Sequence, residues 1–381
     1  MTRVLTVFGT RPEAIKLAPV IAELERRPQN FTSKVCVTGQ HRELLDQMLD
    51  LFSIRPDHDL GIMRHDQSPT EVALGVLGGL ERVLREEHPD WVIVQGDTTT
   101  TMAGGLGAFH FGCRVAHVEA GLRTFDRRDP WPEEVNRRVA GVVADLHFAP
   151  TPTSAENLYR EGVSPDRVYV TGNTVIDALE FVRALPFDPT GTTLEDLAHQ
   201  GKRVVVVTMH RRETSRSALA EVCAALIDIA AQHEDVQIVC PVHPNPNVRQ
   251  PIRELLADNP SFTLVAPLEY QAMIWLLQRA DLVITDSGGV QEEATAIGTP
   301  VLVVRNRTER AEGIAAGNAR LVGADRREIV TWGTRVLSDP ALHAQMAQAT
   351  DLYGDGHAAR AIVDILHEHA FEAGADGART A

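Results

Sequence analysis

Cysteine is scarce in this chain of 381 residues: Cys36, Cys113, Cys223 and Cys240 are the whole complement, and no two form a CxxC pair. That excludes a disulfide-stapled scaffold, and the apolar runs around the thiols predict reduced, buried cysteines in a cytoplasmic protein. No apolar stretch approaches the ~18 residues of a membrane span. The run at the amino terminus stops at Gly9, too short for the apolar core of a signal peptide. Positive charge is in deficit: 37 Lys and Arg stand against 52 Asp and Glu, a net charge of −15. The chain as a whole therefore repels nucleic acid and anionic membranes, and an anionic ligand needs a local basic site. The dinucleotide fingerprint G-x-G-x-x-G is missing and no histidine spacing suits zinc, so neither a nicotinamide nor a metal is expected.

What is present is an ordinary globular composition, 44% hydrophobic and 23% charged, in which short β-branched runs alternate with longer helical patterns. That alternation predicts an α/β protein of parallel βαβ units. Six strand candidates, Val4–Phe8, Lys34–Val37, Trp91–Gln95, Arg114–Val118, His147–Phe148 and Val168–Val170, suit one doubly wound sheet. Six more, Val204–Val207, Gln237–Val239, Thr263–Val265, Leu282–Ile284, Val301–Val304 and Arg320–Val322, predict a second. Turn formers in Leu185-Pro-Phe-Asp-Pro-Thr-Gly-Thr-Thr193 put the boundary near 172–200. The expected organisation is an amino-terminal Rossmann-like domain over 1–172, completed by a last helix over 358–370, a second such domain over 173–357, and a flexible tail over 371–381. The ligand crevice is expected between the two.

Ligands of open α/β sheets lie beyond the carboxyl ends of the strands, and here those ends are polar. The first runs into Gly9-Thr-Arg-Pro-Glu-Ala-Ile-Lys16, where backbone N–H groups, Arg11 and Lys16 would flank a helix start suited to an anion. The lesser alternative on residue types alone is an ordinary capped helix with Arg11 and Lys16 solvated. Asp97 ends the third strand, either fitted by burial for proton transfer or only capping the next helix, and Glu119 in His117-Val-Glu-Ala-Gly-Leu-Arg123 joins it on the fourth. Glu133 and Arg137 stand at i and i+4, an exposed ion pair or a carboxylate held by its arginine. His210 and His243 follow strands in the second half and suit hydrogen-bonding roles. In Thr285-Asp-Ser-Gly-Gly-Val-Gln-Glu-Glu-Ala294, the small residues Ser287, Gly288 and Gly289 allow N–H groups to approach a phosphate, with Glu293 one turn further for ribose hydroxyls.

Phe8-Gly-Thr-Arg-Pro-Glu-Ala-Ile-Lys16, Gly96-Asp-Thr-Thr-Thr100, His117–Arg123, Trp131-Pro-Glu-Glu134, His210-Arg-Arg-Glu213 and Asp286–Glu293 together resemble the bacterial non-hydrolysing UDP-N-acetylglucosamine 2-epimerases, in order across both halves. The resemblance implies two Rossmann-like domains of the glycosyltransferase-B type, a homodimer, no cofactor, and a role in supplying UDP-ManNAc for cell-envelope polysaccharide. It implies reversible epimerisation of UDP-GlcNAc by anti elimination of UDP to 2-acetamidoglucal and re-addition. Asp97, Glu119 and Glu133 would be the acid/base carboxylates, supported by Lys16 and Arg137. Arg11, His210 and the Ser287–Gly289 turn would stabilise the departing diphosphate. Glu293 would hold the ribose, Met273 would lie at the uracil, and Arg310 near UDP in the closed arrangement. Gln40, Glu43, Arg211 and His243 match a substrate-activation site, and Asp66, where some members carry arginine, implies weak activation. The alternatives are a hydrolysing 2-epimerase releasing ManNAc and UDP, a transferase on the same architecture, and a nucleotide-sugar-binding regulator. Against the transferase stands the number of carboxylates, three where one base suffices; against the regulator, that none of the three is missing.

Overall fold

The computed structural model describes residues 1–39, 42–64, 66–199, 201–209, 216–243 and 245–370. It divides into two compact units: Met1–Ala178 with the chain from Tyr353 onward, and Leu179–Leu352. Each is a parallel sheet with helices in the connections. The first holds β1 (Thr2–Phe8), β2 (Phe31–Val37), β3 (His58–Asp59), β4 (Trp91–Gln95), β5 (Arg114–Val118), β6 (Leu146–Ala149) and β7 (Val168–Val170), in the order β3-β2-β1-β4-β5-β6-β7. The second holds β8 (Arg203–Thr208), β9 (Val236–Pro241), β10 (Phe262–Val265), β11 (Ala280–Thr285), β12 (Val301–Val303) and β13 (Ala319–Leu321), in the order β10-β9-β8-β11-β12-β13. Both are doubly wound Rossmann-like sheets, as the strand patterns predict.

The strands are near-continuous apolar runs because both faces are covered. Leu5, Val7, Val92, Val94 and Val115 pack beneath Leu80, Val83 and Leu84 of the helix Pro69–Glu87 in the first unit. Val205, Val207, Ile238, Leu282 and Ile284 pack with Leu226 and Ile229 of the helix Arg216–Gln232 in the second. The sequence pattern misses β3: two residues, His58 and Asp59, paired with Cys36 and Val37, carry no apolar alternation. The last helix, Ala358–Glu368, belongs to the first unit. It is pinned by Arg27 Nη1 to Asp364 at 2.5 Å and by the N–H of Ala359 to Asp177 at 2.9 Å. The tail over 371–381 lies outside the described residues. All four cysteines are free, and burial pushes the thiols of Cys36 and Cys240 up to about 12. Among the described residues no helix is long and apolar enough to cross a membrane.

Each sheet reverses its winding once, between β1 and β4 and between β8 and β11. Those two points are where a doubly wound sheet opens a crevice at its carboxyl edge. Gly121, just past β5, lets the chain leave that edge: its φ is +89°, and an added Cβ would sit 2.1 Å from the carbonyl oxygen of Ser154. Gly121→Ala is expected to destabilise the protein by about 2–5 kcal/mol, from left-handed backbone strain plus overpacking, read as a lowered Tm; an unchanged melt would refute this account.

Candidate active site

The first unit gathers the carboxylates at the ends of β4 and β5. Glu119 follows β5 at φ +62°, a strained setting for a residue with a Cβ, and is only 7% exposed. Donors reach it from a helix, a strand and the chain beyond β7. Lys16 Nζ, from the helix Arg11–Glu25, donates to Oε1; Gln95 Nε2, from β4, donates to Oε2; Asn173 Nδ2 donates to Oε1 at 2.9 Å. Asn173 is itself fixed, its N–H donating to the carbonyl of Tyr353 at 2.6 Å. A buried carboxylate needs such a set, since desolvation without partners costs several kcal/mol.

Asp97 lies beyond β4, after Gly96 at φ +74°. Arg137 donates to its Oδ2 from Nη2 and from Nε at 3.1 Å, while Asn136 Nδ2 holds its backbone carbonyl at 3.0 Å. Arg137 also donates to Glu134 at 3.2 Å, and that wholly buried carboxylate accepts the N–H groups of Thr124 and Phe125 at 3.1 Å each. Arg137 thus joins the turn after β4 to the loop before its own helix, Glu133–Val143. Glu133 begins that helix and is half-buried; Arg11 begins the helix Arg11–Glu25 and is also half-buried.

Beneath this group His117 donates from Nε2 to the carbonyl of Gly96 at 2.7 Å, leaving Nδ1 bare. Burial lowers its pKa to about 4, and that of its strand neighbour His147 to about 3. Both rings are neutral at physiological pH.

The start of the helix Arg11–Glu25 corrects one expectation. The N–H groups of Gly9 and Thr10 are not open to an anion, because Glu13 Oε2 accepts both, at 3.1 and 2.8 Å. Arg11 and Lys16 supply the positive charge there without them. The spacing Thr10-x-x-Glu13 is a capping-box signal, so this was visible in the sequence.

In the second unit Ser287 caps the helix Gly288–Ile297 beyond β11. An added Cβ at Gly288 would meet Arg310 Cζ at 2.6 Å, so only glycine lets that guanidinium lie over the turn; at Gly289 the same position is open. Arg310 Nε donates to Glu292 at 2.9 Å, and Nη1 lies 3.6 Å from Glu309, which Arg305 also reaches at 2.9 Å. Glu293 accepts the Tyr270 hydroxyl at 2.9 Å, and Met273 is buried on the same helix as Tyr270, Tyr270–Gln278. Glu292 and Tyr270 escaped sequence reading because their partners are 18 and 23 residues away, whereas the partners of Glu309, Arg305 and Arg310, lay within reach of a local pattern.

Of the remaining candidates, Gln40, His210 and Arg211 lie outside the described residues, and Glu43 belongs to the helix Arg42–Leu51 with its side chain undescribed. His243 is half-buried, its Nδ1 accepting the N–H of Asn245 at 3.2 Å. Asp66 is exposed. Away from the strand ends, His58, Glu86 and Glu87 bring potential metal-ligand atoms within 4.8 Å of one another, His58 already pairing with Glu87 at 2.7 Å.

The unit holding Asp97, Glu119, Lys16 and Arg137 can move protons beside fixed cations, and the unit holding Ser287, Glu293 and Arg310 can hold an anion and hydroxyls. Known proteins resemble this chain along nearly its whole length. A family model described as UDP-N-acetylglucosamine 2-epimerase matches residues 22–367. A UDP-N-acetylglucosamine 2-epimerase of Escherichia coli K12 is 50% identical over 96% of this chain and 98% of its own. The crystal structure of a UDP-GlcNAc 2-epimerase from Neisseria meningitidis, bound to UDP-GlcNAc, is 43% identical with a TM-score of 0.91, covering 96% of this chain and 100% of that one. A Staphylococcus aureus protein solved with UDP is 39% identical with a TM-score of 0.91, over 97% of both chains. On the family model, on identity along nearly the whole length and on shared structure, this chain belongs to the UDP-N-acetylglucosamine 2-epimerase family.

Proposed function

We propose that this protein is a cytoplasmic isomerase that interconverts UDP-GlcNAc and UDP-ManNAc without releasing free sugar. The carrying observation is the pair of anchored carboxylates at one sheet edge, Glu119 on Lys16 and Asp97 on Arg137, in a member of this family. The chemistry asks for such an arrangement. The C2–H of the sugar has no adjacent carbonyl and is a very weak acid, so its removal must be coupled to departure of a stabilised leaving group. A carboxylate takes the C2 proton as the C1–O bond to the diphosphate breaks, leaving 2-acetamidoglucal and UDP. A proton then returns to the opposite face of C2 as UDP adds back to C1.

In this reading Asp97, Glu119 and Glu133 share the proton transfers, with Lys16 and Arg137 holding the sugar side. Arg11, His210 and the Ser287-Gly288-Gly289 turn meet the charge that develops on the diphosphate, where fixed donors contribute most. Arg310 sits near UDP, Glu293 takes the ribose and Met273 the uracil. A transferase would need an acceptor and one base; the hydrolysing route would need water at C1.

The test is to follow C2 by proton NMR with UDP-GlcNAc in D₂O. UDP-ManNAc carrying deuterium at C2, and approach to a mixture of both epimers, is expected; free ManNAc with UDP selects the hydrolysing enzyme, and no reaction rejects both. Asp97→Ala and Glu133→Ala are expected to fold and to lose turnover, and near-normal rates in both would remove them from the chemistry.

By their match to the family's segments, Gln40, Glu43, Arg211 and His243 are assigned to substrate activation, and Asp66, standing where some members carry arginine, would repel a second diphosphate. Initial rates are therefore expected to be close to hyperbolic in UDP-GlcNAc, and strongly sigmoidal rates at low substrate would contradict this. The reading includes a homodimer. It is supported by apolar residues left outside the packed helices Pro69–Glu87, Thr99–Phe111 and Glu133–Val143, namely Leu74, Phe109 and Val142, the last 84% exposed. Light scattering at micromolar concentration is expected to give twice the chain mass; a single-chain mass would overturn it.

A further inference from the structure

Among the buried charged groups of the first unit, Glu13 has no part in the chemistry above. It is 1% exposed, yet all five of its hydrogen-bond partners are neutral. Its Oε2 accepts the N–H of Gly9 at 3.1 Å, the N–H of Thr10 at 2.8 Å and the Thr10 hydroxyl at 2.8 Å. Its Oε1 accepts the hydroxyl of Thr98 at 2.7 Å and that of Thr101 at 3.1 Å, the latter sharing its one hydrogen with the carbonyl of Gln95 at 2.5 Å. The first three donors belong to the turn after β1, which carries Arg11 and leads to Lys16. The last two belong to the first turn of the helix Thr99–Phe111, directly after Asp97. One carboxyl group therefore fastens together the two chain segments on either side of the sheet's reversal point. No backbone hydrogen bond between those two segments is recorded among the described residues.

Burial pushes the Glu13 carboxyl up, and the donors around it oppose that shift. A helix cap alone has no use for this placement. The capping role is met at the Gly9–Thr10 end by Oε2, whereas Oε1 is spent entirely on residues 85 and 88 positions away.

We infer that Glu13 is a positioning residue for the epimerase reaction, holding the Arg11–Lys16 segment at a fixed distance from Asp97. This rests on the function proposed above. Loss of the tie shifts the proton-moving group against the cations on the sugar side. Arg11 moves with that segment, but its assigned role is toward charge that develops as the diphosphate leaves; Ser287, Glu293, Met273 and Arg310, assigned to the bound nucleotide, lie in the other unit and are untouched, so turnover falls while ground-state substrate affinity is kept. The tie needs acceptors and shape, not charge. Glutamine satisfies it with its carbonyl toward Gly9 and Thr10 and its amide toward the two hydroxyls. Thr101 can then give its hydrogen to the carbonyl of Gln95, already 2.5 Å away, and Thr98 its own to Thr101 at 3.0 Å.

The experiment compares Glu13→Gln and Glu13→Ala with the unaltered protein in the UDP-GlcNAc assay, alongside circular dichroism. Glu13→Ala is expected to lower kcat by about 10²-fold, the cost of an ångström-scale misplacement, with KM within about threefold of the unaltered protein's. Glu13→Gln is expected to keep kcat within about threefold, a rescue by shape in the absence of charge. If Glu13→Ala does not fold, Thr98→Ala with Thr101→Ala releases the far segment, together with the Thr98 cap of the helix Thr99–Phe111 and the Thr101 bond to Gln95, and carries the same expectation. Normal kcat in the untied variant, a loss confined to KM, or a Glu13→Gln variant as poor as the alanine would each overturn the inference. An unaltered protein that does not epimerise UDP-GlcNAc refutes the function reading instead.

Discussion

A carboxylate at the inner end of a parallel sheet has no water to face, and most of the first unit's carboxyl edge is organised by that constraint. Glu119 draws in Lys16 from one helix, Gln95 from the neighbouring strand and Asn173 from the chain beyond β7. Its partners are thus spread over some 150 residues of sequence, and each is held by something else: Gln95 by its strand, Asn173 by the carbonyl of Tyr353. Removing one partner would leave a buried charge short of donors, which costs more than the lost contact alone. The strained backbone of Glu119 persists because these contacts over-determine it.

The second unit solves the reverse problem, a cation at a helix start. Arg310 lies against Gly288, and Glu292 and Glu309 keep it there. Glu292 and Glu309 are almost wholly buried, so the guanidinium is held by fixed acceptors and its reach is set before any ligand arrives. An arginine free in solvent would spend side-chain entropy on each binding event.

The fold was legible in the sequence because both sheets are buried on two faces. Runs such as Trp91–Gln95 and Val204–Val207 need no partner to be recognised as core strands, and only β3, two polar-flanked residues, falls below that signal. The motif residues were legible for a related reason: a polar residue directly after an apolar strand is placed by the topology, as Asp97, Glu119 and Ser287 are. What pattern reading could not supply is pairing. The spacing of Glu133 and Arg137 suggested a contact within one helix and gave no sign that Arg137 also reaches 40 residues back to Asp97 and 15 back to the carbonyl of Leu122. Asn173, Tyr270 and Glu292 carry no local signal, because their value lies in what another segment brings to them. The N–H groups after β1 were misjudged as open although Glu13 stood in capping position.

These pairings bear on how an unactivated C–H bond comes to be broken. Elimination of a diphosphate asks for two kinds of pre-organisation: a proton acceptor aligned with C2, and fixed positive charge where the leaving group develops its own. Among the described residues, Asp97, Glu119 and Arg137 are held by partners from the first unit, and Arg310 by Glu292 and Glu309 of the second. In the proposed reaction those groups are in position before substrate arrives. Binding energy from the nucleotide is then free to be spent on bringing the sugar to groups already in place, which is where a reaction with so weak an acid needs it.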